Sequence, residues 1–552
     1  MTGDSSNSRR VFGQRLLGVA AAMGLNTVSG VGVVGRTIAA GGLAAAVAQA
    51  SQAQSTRERV RVLVVGTGYG GAVAALRLAE RGIPVTMVEV GRLWNTPGSD
   101  GKVFCSNEHP DERAMWFSTQ AAAVVTSFMG QPVNRTVPYG AGVLALKRYP
   151  GMDVYLGRGV GGGSLVNIAM LITPLREVLS EVMPAGFAVD DFLYRHYPKA
   201  KSKLKANTIR PAYFESSPYH QYARTLRDNV AKAGYTTELL PSGYDFKYME
   251  QEEAGTVPKS ALGGEGGFGN NHGKNSLDKT YIAEALGTGR VTIRAMTGVK
   301  KIERAPDRTY VVTLEEIDRV GNVLRRYQIA CDHLFLAGGS IGSTEMLVRA
   351  RQTGTLPRLN AHVGTRWSAN GDIFVCRQNT ADHPVGLQQA IVPASGFKTR
   401  DQNNKPLFSM HLPLPFPFES GISMSIVMPR NPETGSFTYD AAQDSAVLDW
   451  RTQNAPAVAS AKHVFDRVNS ANGTDYRNDL FSGKQFSDAA TYHPVGGVPL
   501  GRATDLYGRV LGYDRLYVID GSLIPGALAA NPALTVAALA ERNMESILLK
   551  DF

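Results

Sequence analysis

Between residues 59 and 90 the hydrophobic period of the chain changes twice. In "RVRVLVVG", Val60 to Val65 is a β-branched run closed by glycine, which predicts a short buried strand. Ala72 to Arg81 then places alanine and leucine at helical spacing and stops at Gly82, which predicts a helix. Pro84 to Val90 returns to a strand. A period of two, then 3.6, then two within thirty residues describes a strand–turn–helix–strand unit of an open α/β sheet. The pattern recurs in "CDHLFLAGGSIGSTEMLVRA", Cys331 to Ala350, a buried strand, a small-residue turn and a helix. Near the end, Leu516 to Ile519 reads as a strand running into Asp520–Gly521. Asn531–Pro532 then makes a good start for an Ala/Leu-rich helix reaching about Leu549.

The first fifty residues follow another pattern. Arg9–Arg10, an apolar run and the small residues of "AAAVAQASQAQS" read as a twin-arginine export signal with a cut after Ala50 or Ala53. The alternative is an ordinary amphipathic N-terminal helix. Gly, Asn and Ser interrupt the apolar part, which argues against a permanent membrane span. An exported, secreted or periplasmic protein is expected, with the twin-arginine machinery as a partner.

Composition narrows the classes. The chain has 552 residues, 43% hydrophobic and 19% charged, ordinary values for a globular protein large enough for two domains. The segment up to Ala50 holds four Arg and one Asp, so its removal takes the net charge from +10 to +7. The remaining basic residues are mixed with acidic ones. Nucleic acid is therefore a poor partner, while weak, transient attraction to an anionic membrane surface stays open. Cys105, Cys331 and Cys376 are too widely spaced for a metal knuckle; buried thiols are expected, with one disulfide as the alternative.

The chemistry begins at the first turn. Gly66, Gly68 and Gly71 form G-x-G-x-x-G between strand and helix, and Glu89 closes the second strand. Glycines there let the backbone approach a pyrophosphate at a helix N-terminus, and Glu89 can accept hydrogen bonds from ribose hydroxyls. An acid at that place disfavours a 2′-phosphate, leaving FAD or NAD. A second glycine-dense loop, "YLGRGVGGGSLVNIAMLITP" from Tyr155 to Pro174, favours FAD, which needs backbone contact along its whole length. Close packing alone is the competing reading of those glycines. The helix after Asn531 is expected to aim its positive end at the flavin edge.

These strings, with "GNNHGKNSLDKTY", "GSIGSTEMLVRARQTGTLP", "YHPVGGVPLG" and "VIDGSLIPG", resemble the glucose–methanol–choline (GMC) oxidoreductases. Within that family they are most similar to the bacterial cholesterol oxidases with non-covalent FAD. The resemblance runs from about residue 60 to the C-terminus. It implies an α/β plus α+β protein, with a discontinuous Rossmann-like FAD-binding domain at 51–174, 271–352 and 491–552. A substrate domain at 175–270 and 353–490, built on a large mixed sheet, would cover the flavin. It assigns catalysis to His493 and Asn531, and no metal. The cofactor residues implied are Gly66, Gly68, Tyr69, Gly70, Gly71, Glu89, Gly159, Gly163, Ser164, Asn167, Val299, Asp520 and Asn531. Met170 and Met410 would line the substrate pocket. The glycine-rich loop holds no histidine, so a non-covalent flavin is expected.

The activity implied is oxidation of a 3β-hydroxysteroid-like alcohol to the ketone, with dioxygen reduced to peroxide. One position departs from the pattern. In "LFSMHLPLPFP", Met410 stands where the cholesterol oxidases carry the glutamate that moves a proton to give the conjugated enone, and a thioether has no proton to move. Weakened isomerisation, a substitute acid such as Glu419 or Asp372, a shifted alignment, or an alcohol without a double bond all remain open. His411 should point to the opposite face of its strand. His272 is expected to be structural, and Trp94 to pack the loop after Glu89. The rival activities are a dehydrogenase of another hydrophobic alcohol with a quinone-type acceptor, an NAD enzyme, and a lipid-binding flavoprotein scaffold without catalysis.

Overall fold

β1 (Glu58–Val65), α1 (Tyr69–Glu80) and β2 (Val85–Val88) form the predicted unit. The structure, a computed structural model, describes residues 57–552 apart from 122, 123, 130, 134, 415–417 and 452; the expected export signal lies outside them. After an excursion that includes α2 (Gln221–Lys232), the chain returns as β3 (Val291–Arg294), β4 (Thr297–Arg304), β5 (Tyr310–Ile317), β6 (Val323–Leu336) and α3 (Gly339–Gln352). A second excursion carries β7 (Ile373–Gln378), β8 (Ser395–Arg400), β9 (Pro406–Leu412), β10 (Ile422–Pro429) and α4 (Ala455–Asn472). The last return supplies β11 (Leu516–Val518) and α5 (Ala533–Lys550).

The first sheet runs β3–β2–β1–β6–β5–β4, with β11 also beside β6. β1, β2, β3 and β11 are parallel to the C-terminal half of β6 or to one another, while β4 and β5 form an antiparallel meander with its N-terminal half. The registers Val65↔Leu336, Val65↔Val88 and Leu336↔Val518 align the carboxyl ends of four strands. A crevice at such ends is the usual ligand position of an open α/β sheet. α1 and α5 pack together over this sheet, and Arg77 of α1 donates two hydrogen bonds to the buried carboxylate of Glu541 on α5 (2.8 and 2.6 Å). That clamp fixes the glycine turn at the head of α1 against Asn531 at the head of α5.

The second sheet runs Asp475–Tyr476, β7, β10, β9, β8, Thr237–Leu239, and each of these neighbours pairs antiparallel. The mixture of strand directions thus lies in the first sheet. Strand alternation gives the second sheet two faces. Phe374, Phe408, Met410, Leu412, Ile426 and Met428 share one, while Val375, Arg377, Ser409, His411, Ser423 and Ser425 share the other. α4 covers that second face, where Phe465 meets Phe397 and Arg377. His411 therefore does point away from Met410. The three cysteines are buried free thiols. Among the described residues no helix is long and apolar enough to cross a membrane.

Candidate functional site

The glycine turn after β1 is fixed by contacts that admit no side chain. A Cβ on Gly66 would lie 2.3 Å from the Ala337 carbonyl oxygen, and one on Gly70 only 1.8 Å from that of Ile519. Gly68 and Gly163 differ, since a Cβ on either meets no protein atom within 4 Å. The two glycine loops touch: a Cβ on Gly162 would come 2.8 Å from the Gly68 Cα. A backbone cradle open on one side therefore lies at the carboxyl ends of the strands, as a pyrophosphate requires.

Thr67, which the sequence pattern did not single out, ties the cradle together. Its hydroxyl donates to Glu89 Oε2 (2.8 Å) and accepts from the Gly161 amide (3.1 Å). Glu89 also accepts from the Thr67 amide (3.1 Å) and the Gly91 amide (2.9 Å), which orients its carboxylate while leaving lone pairs for a ribose. Half-buried Arg158 has a buried Nε without a protein partner. Trp94 donates to the Arg158 carbonyl (3.1 Å), so it packs the loop as expected. Gly159 carries φ +146° directly against the Trp94 indole. Val299 is half-buried in β4 opposite Leu314, two residues beyond Thr297, whose amide donates to the Glu89 carbonyl (2.8 Å).

Further along the cradle, Ser164 Oγ donates to the Gly161 carbonyl (2.7 Å) and accepts from the Leu277 amide (2.9 Å). Asn167 Nδ2 donates to the Tyr69 hydroxyl (2.8 Å), joining two expected cofactor residues; burial pushes that phenol up to about 12. Asp520 accepts from the Gly339 amide (2.8 Å), Ser343 Oγ (2.6 Å), and the Ser522 amide and hydroxyl (2.9 and 2.6 Å). It thereby clasps the head of α3 to the turn after β11, with burial raising its pKa.

Lys274, also missed, lies fully under the second loop and donates to the carbonyls of Leu165 (3.0 Å) and Asn167. Burial lowers its pKa from 10.5 to about 7. The unfolded lysine stays protonated to about pH 10.4. Between about pH 7 and 10 the unfolded chain therefore holds more protons, so this residue's contribution to stability rises with pH. The melting temperature of the wild type, minus that of Lys274→Met, is expected to increase from pH 7 to pH 10; a constant difference would refute the lowered pKa. His272, from the same string, stacks on Tyr248 (6.0 Å between centroids), a packing role.

His493 is held between two short pairings. Ala490–Thr491 runs parallel to Asp153–Val154, and Val495–Gly497 runs antiparallel to Thr365–Ser368. Its Nδ1 lies 2.8 Å from Asp372 Oδ1, and its Nε2 lies 3.1 Å from Asn531 Nδ2. The Asp372 side chain has no exposed surface, and its other oxygen accepts from Thr491 Oγ1 (2.9 Å) and the Tyr492 amide (3.1 Å). A carboxylate so placed keeps the proton on Nδ1, so Nε2 presents a lone pair to Asn531. The Asn531 Oδ1 is buried without a partner. Asn370 fastens the two loops by donating to the Ala530 carbonyl (2.8 Å) and accepting from the Leu528 amide (2.8 Å). Asp372 thus backs the histidine, with both oxygens engaged. Glu419 is exposed and caps a loop through the amides of Val385 (3.2 Å), Gly386 and Gly421 (2.8 Å). Neither carboxylate stands free to move a proton between carbons.

The apolar face of the second sheet meets this centre through aromatic rings. Phe374 sits edge-on to Tyr492, which stacks on Tyr155 with centroids 4.3 Å apart and planes 11° apart. Tyr492 is 37% exposed, so part of its ring surface, next to His493 in the chain, stays free for contact. Met410 and Met170 are buried in the same hydrophobic cluster as Tyr155, Phe374 and Ala530, the neighbour of Asn531. The wall formed by Phe374, Phe408, Met410, Leu412, Ile426 and Met428 carries no carboxylate, and Cys376 on the same face is kept a thiol by burial.

Comparison with known proteins gives matches along most of the chain. Two family models described as GMC oxidoreductase match residues 39–368 and 434–540, and one described as GMC oxidoreductase, C-terminal, matches 370–482. The chain is 25% identical over 550 residues to a cholesterol oxidase of Acinetobacter baumannii, covering 88% of this chain and 94% of that protein. It is 24% identical over 563 residues to a cholesterol oxidase of Mycobacterium tuberculosis, covering 87% and 90%. Among solved structures, a pyridoxine 4-oxidase from Mesorbium loti superposes with a TM-score of 0.59 at 14% identity, covering 89% of this chain and 100% of that one. A fungal aryl-alcohol oxidase gives the same TM-score at 13% identity, over 90% and 99%.

Proposed function

The chain belongs to the GMC oxidoreductase family as an FAD-dependent alcohol oxidase, and on that premise we propose that its substrate is a sterol-like secondary alcohol. The observation that carries this reading is the Asp372–His493–Asn531 constellation beside an apolar wall that carries no carboxylate. The open sides of Gly68 and Gly163, the Glu89 carboxylate and the unpartnered Asn531 Oδ1 and Arg158 Nε fit FAD, held without a covalent bond. When bound, FAD supplies the acceptor for the carbinol hydrogen, taken as hydride, and passes the two electrons to dioxygen to give peroxide.

The rest is done by side chains. Nε2 of His493 takes the hydroxyl proton of the alcohol as its C–H bond breaks, and Asp372 stabilises the imidazolium that results. Asn531 positions the same hydroxyl beside Nε2. The Tyr155–Tyr492 pair and Phe374 offer flat apolar contacts to a fused-ring body. Met410 leaves the ketone unconjugated, because no group on that wall moves a proton between ring carbons.

Incubation with cholesterol, following peroxide and enone absorbance together, tests this. Peroxide is expected without matching enone. Enone at the rate of peroxide would overturn the reading of Met410, and flavin that bleaches only with other apolar alcohols would overturn the sterol. Anaerobic reduction followed by air distinguishes dioxygen from a quinone-type acceptor. Denaturation should release the yellow cofactor. Export through the twin-arginine route, which carries folded proteins, suits an enzyme loaded with its cofactor before secretion.

A further inference from the structure

Thr491, two residues before His493, is fully buried and belongs to the short pairing of Ala490–Thr491 with Asp153–Val154. Its hydroxyl oxygen accepts from the His493 amide (2.9 Å) and lies 2.9 Å from Asp372 Oδ2 and 3.0 Å from the Ala369 carbonyl oxygen. A hydroxyl carries one proton, so it donates to one of those two acceptors at a time. A bond to an ionised carboxylate is stronger than one to a neutral carbonyl. The proton therefore goes to Asp372.

Asp372 depends on that bond. Its side chain has no exposed surface, and among the described residues no lysine or arginine stands within ion-pair distance of it. Three donors hold its charge: His493 Nδ1 (2.8 Å), the Tyr492 amide (3.1 Å) and the Thr491 hydroxyl. The amide is fixed by the backbone and the imidazole is the reacting partner. Among the described residues this leaves Thr491 as the one side chain that holds the carboxylate from outside the reaction. The titratable groups that face the pair are Tyr492 and, stacked on it, Tyr155. Desolvation raises both phenols, Tyr155 to about 12, so neither adds a charge near neutral pH. Hydrogen bonds to an ionised group favour its ionised form. With Oδ2 engaged by the threonine, Asp372 has less affinity left for the proton on Nδ1.

We propose that Thr491 is a positioning residue for alcohol oxidation: its hydroxyl limits how strongly Asp372 draws on the Nδ1 proton, and so sets the basicity of Nε2, while holding the His493 backbone in place. It acts through Asp372, not on the alcohol. The proposal rests on the reading of His493 as the base that takes the hydroxyl proton.

A graded series tests it, since Thr491→Ser keeps the donor, Thr491→Cys offers a weak one and Thr491→Val offers none. For each holoenzyme, the second-order rate of anaerobic flavin bleaching is followed against pH, with the apolar alcohol that the wild type oxidises fastest. With the donor gone, Asp372 draws harder on Nδ1, and the imidazole keeps a proton on Nε2 to higher pH. The acid limb of Thr491→Val is expected about one pH unit above that of the wild type, an about tenfold loss on that limb that disappears at higher pH. Thr491→Ser should follow the wild type, and Thr491→Cys should fall between. A loss in Thr491→Val that is equal at every pH, with the limb unmoved, would make the threonine a packing residue and overturn the proposal. If the valine variant does not fold, the serine and cysteine variants decide, because identical limbs in those two overturn it as well. A wild-type profile without an acid limb would instead remove His493 as the base, and the proposal with it.

Discussion

His493→Gln is expected to remain folded and yellow while alcohol turnover falls about 10²–10⁴-fold, the usual contribution of a positioned general base. The stronger test is Asp372→Asn, which changes only one terminal group. Asn Oδ1 can still accept from Thr491 and Tyr492, so the loop keeps its bonds. The amide facing Nδ1 would then donate where the carboxylate accepted. That shifts the imidazole proton to Nε2, which can no longer take one from the substrate. The wrong tautomer in a serine-protease triad costs about 10⁴-fold in kcat, and a loss of similar order is expected here. The readout is anaerobic flavin bleaching in a single turnover, which excludes reoxidation and product release. Wild-type bleaching by Asp372→Asn would remove the carboxylate from the mechanism.

This pairing marks where local reading of the chain ran out. β1, α1, β2 and the glycine turn are legible because their determinants fit within thirty residues: β-branched runs, helical spacing and glycine at fixed offsets. His493 and Asn531 are legible through motifs; Asp372 is legible only as a candidate acid, not as the partner of His493. Asp372 lies 121 residues before His493 and follows Asn370 and Gly371, both at positive φ, so locally it reads as a turn residue. Its use is decided by the pairing of Thr365–Ser368 with Val495–Gly497, a tertiary event. Thr67 hides inside the glycine motif as a variable position.

The second sheet shows the converse failure. Ser409, His411, Ser423, Ser425 and Arg377 fall at strand alternation, a pattern that ordinarily marks the solvent face. Here α4 covers that face, so polarity alone misplaces it, and the covering helix is announced nowhere near those strands. Met410 is the instructive exception. Its departure from the family pattern is visible in the sequence, and its cross-strand neighbours among the described residues, Gly396 and Ile426, are apolar.

Two alanine substitutions in one glycine motif should fail for different reasons. Gly70→Ala would set a Cβ 1.8 Å from the Ile519 carbonyl oxygen and 2.6 Å from its carbon. Both are backbone atoms at the carboxyl end of β11, whose continuation holds Asp520 and, through it, the head of α3. No rotamer relieves that overlap, so α1 must part from the sheet. A loss of about 3 kcal/mol or more is expected, at the upper end for overpacked sites, with lowered melting temperature or insoluble protein. Gly68→Ala meets no protein atom within 4 Å and has φ −69°, which alanine adopts without strain. The apoprotein should therefore melt as the wild type does, or slightly higher. Its new methyl instead enters the open side of the cradle, and FAD affinity should fall about 5–150-fold, for an overpacking cost of about 1–3 kcal/mol. Melting of the two apoproteins, followed by titration with FAD, separates the outcomes. If Gly68→Ala binds FAD with wild-type affinity, the open side of that turn does not face the pyrophosphate; if Gly70→Ala is as stable as the wild type, the contact with Ile519 does not anchor α1.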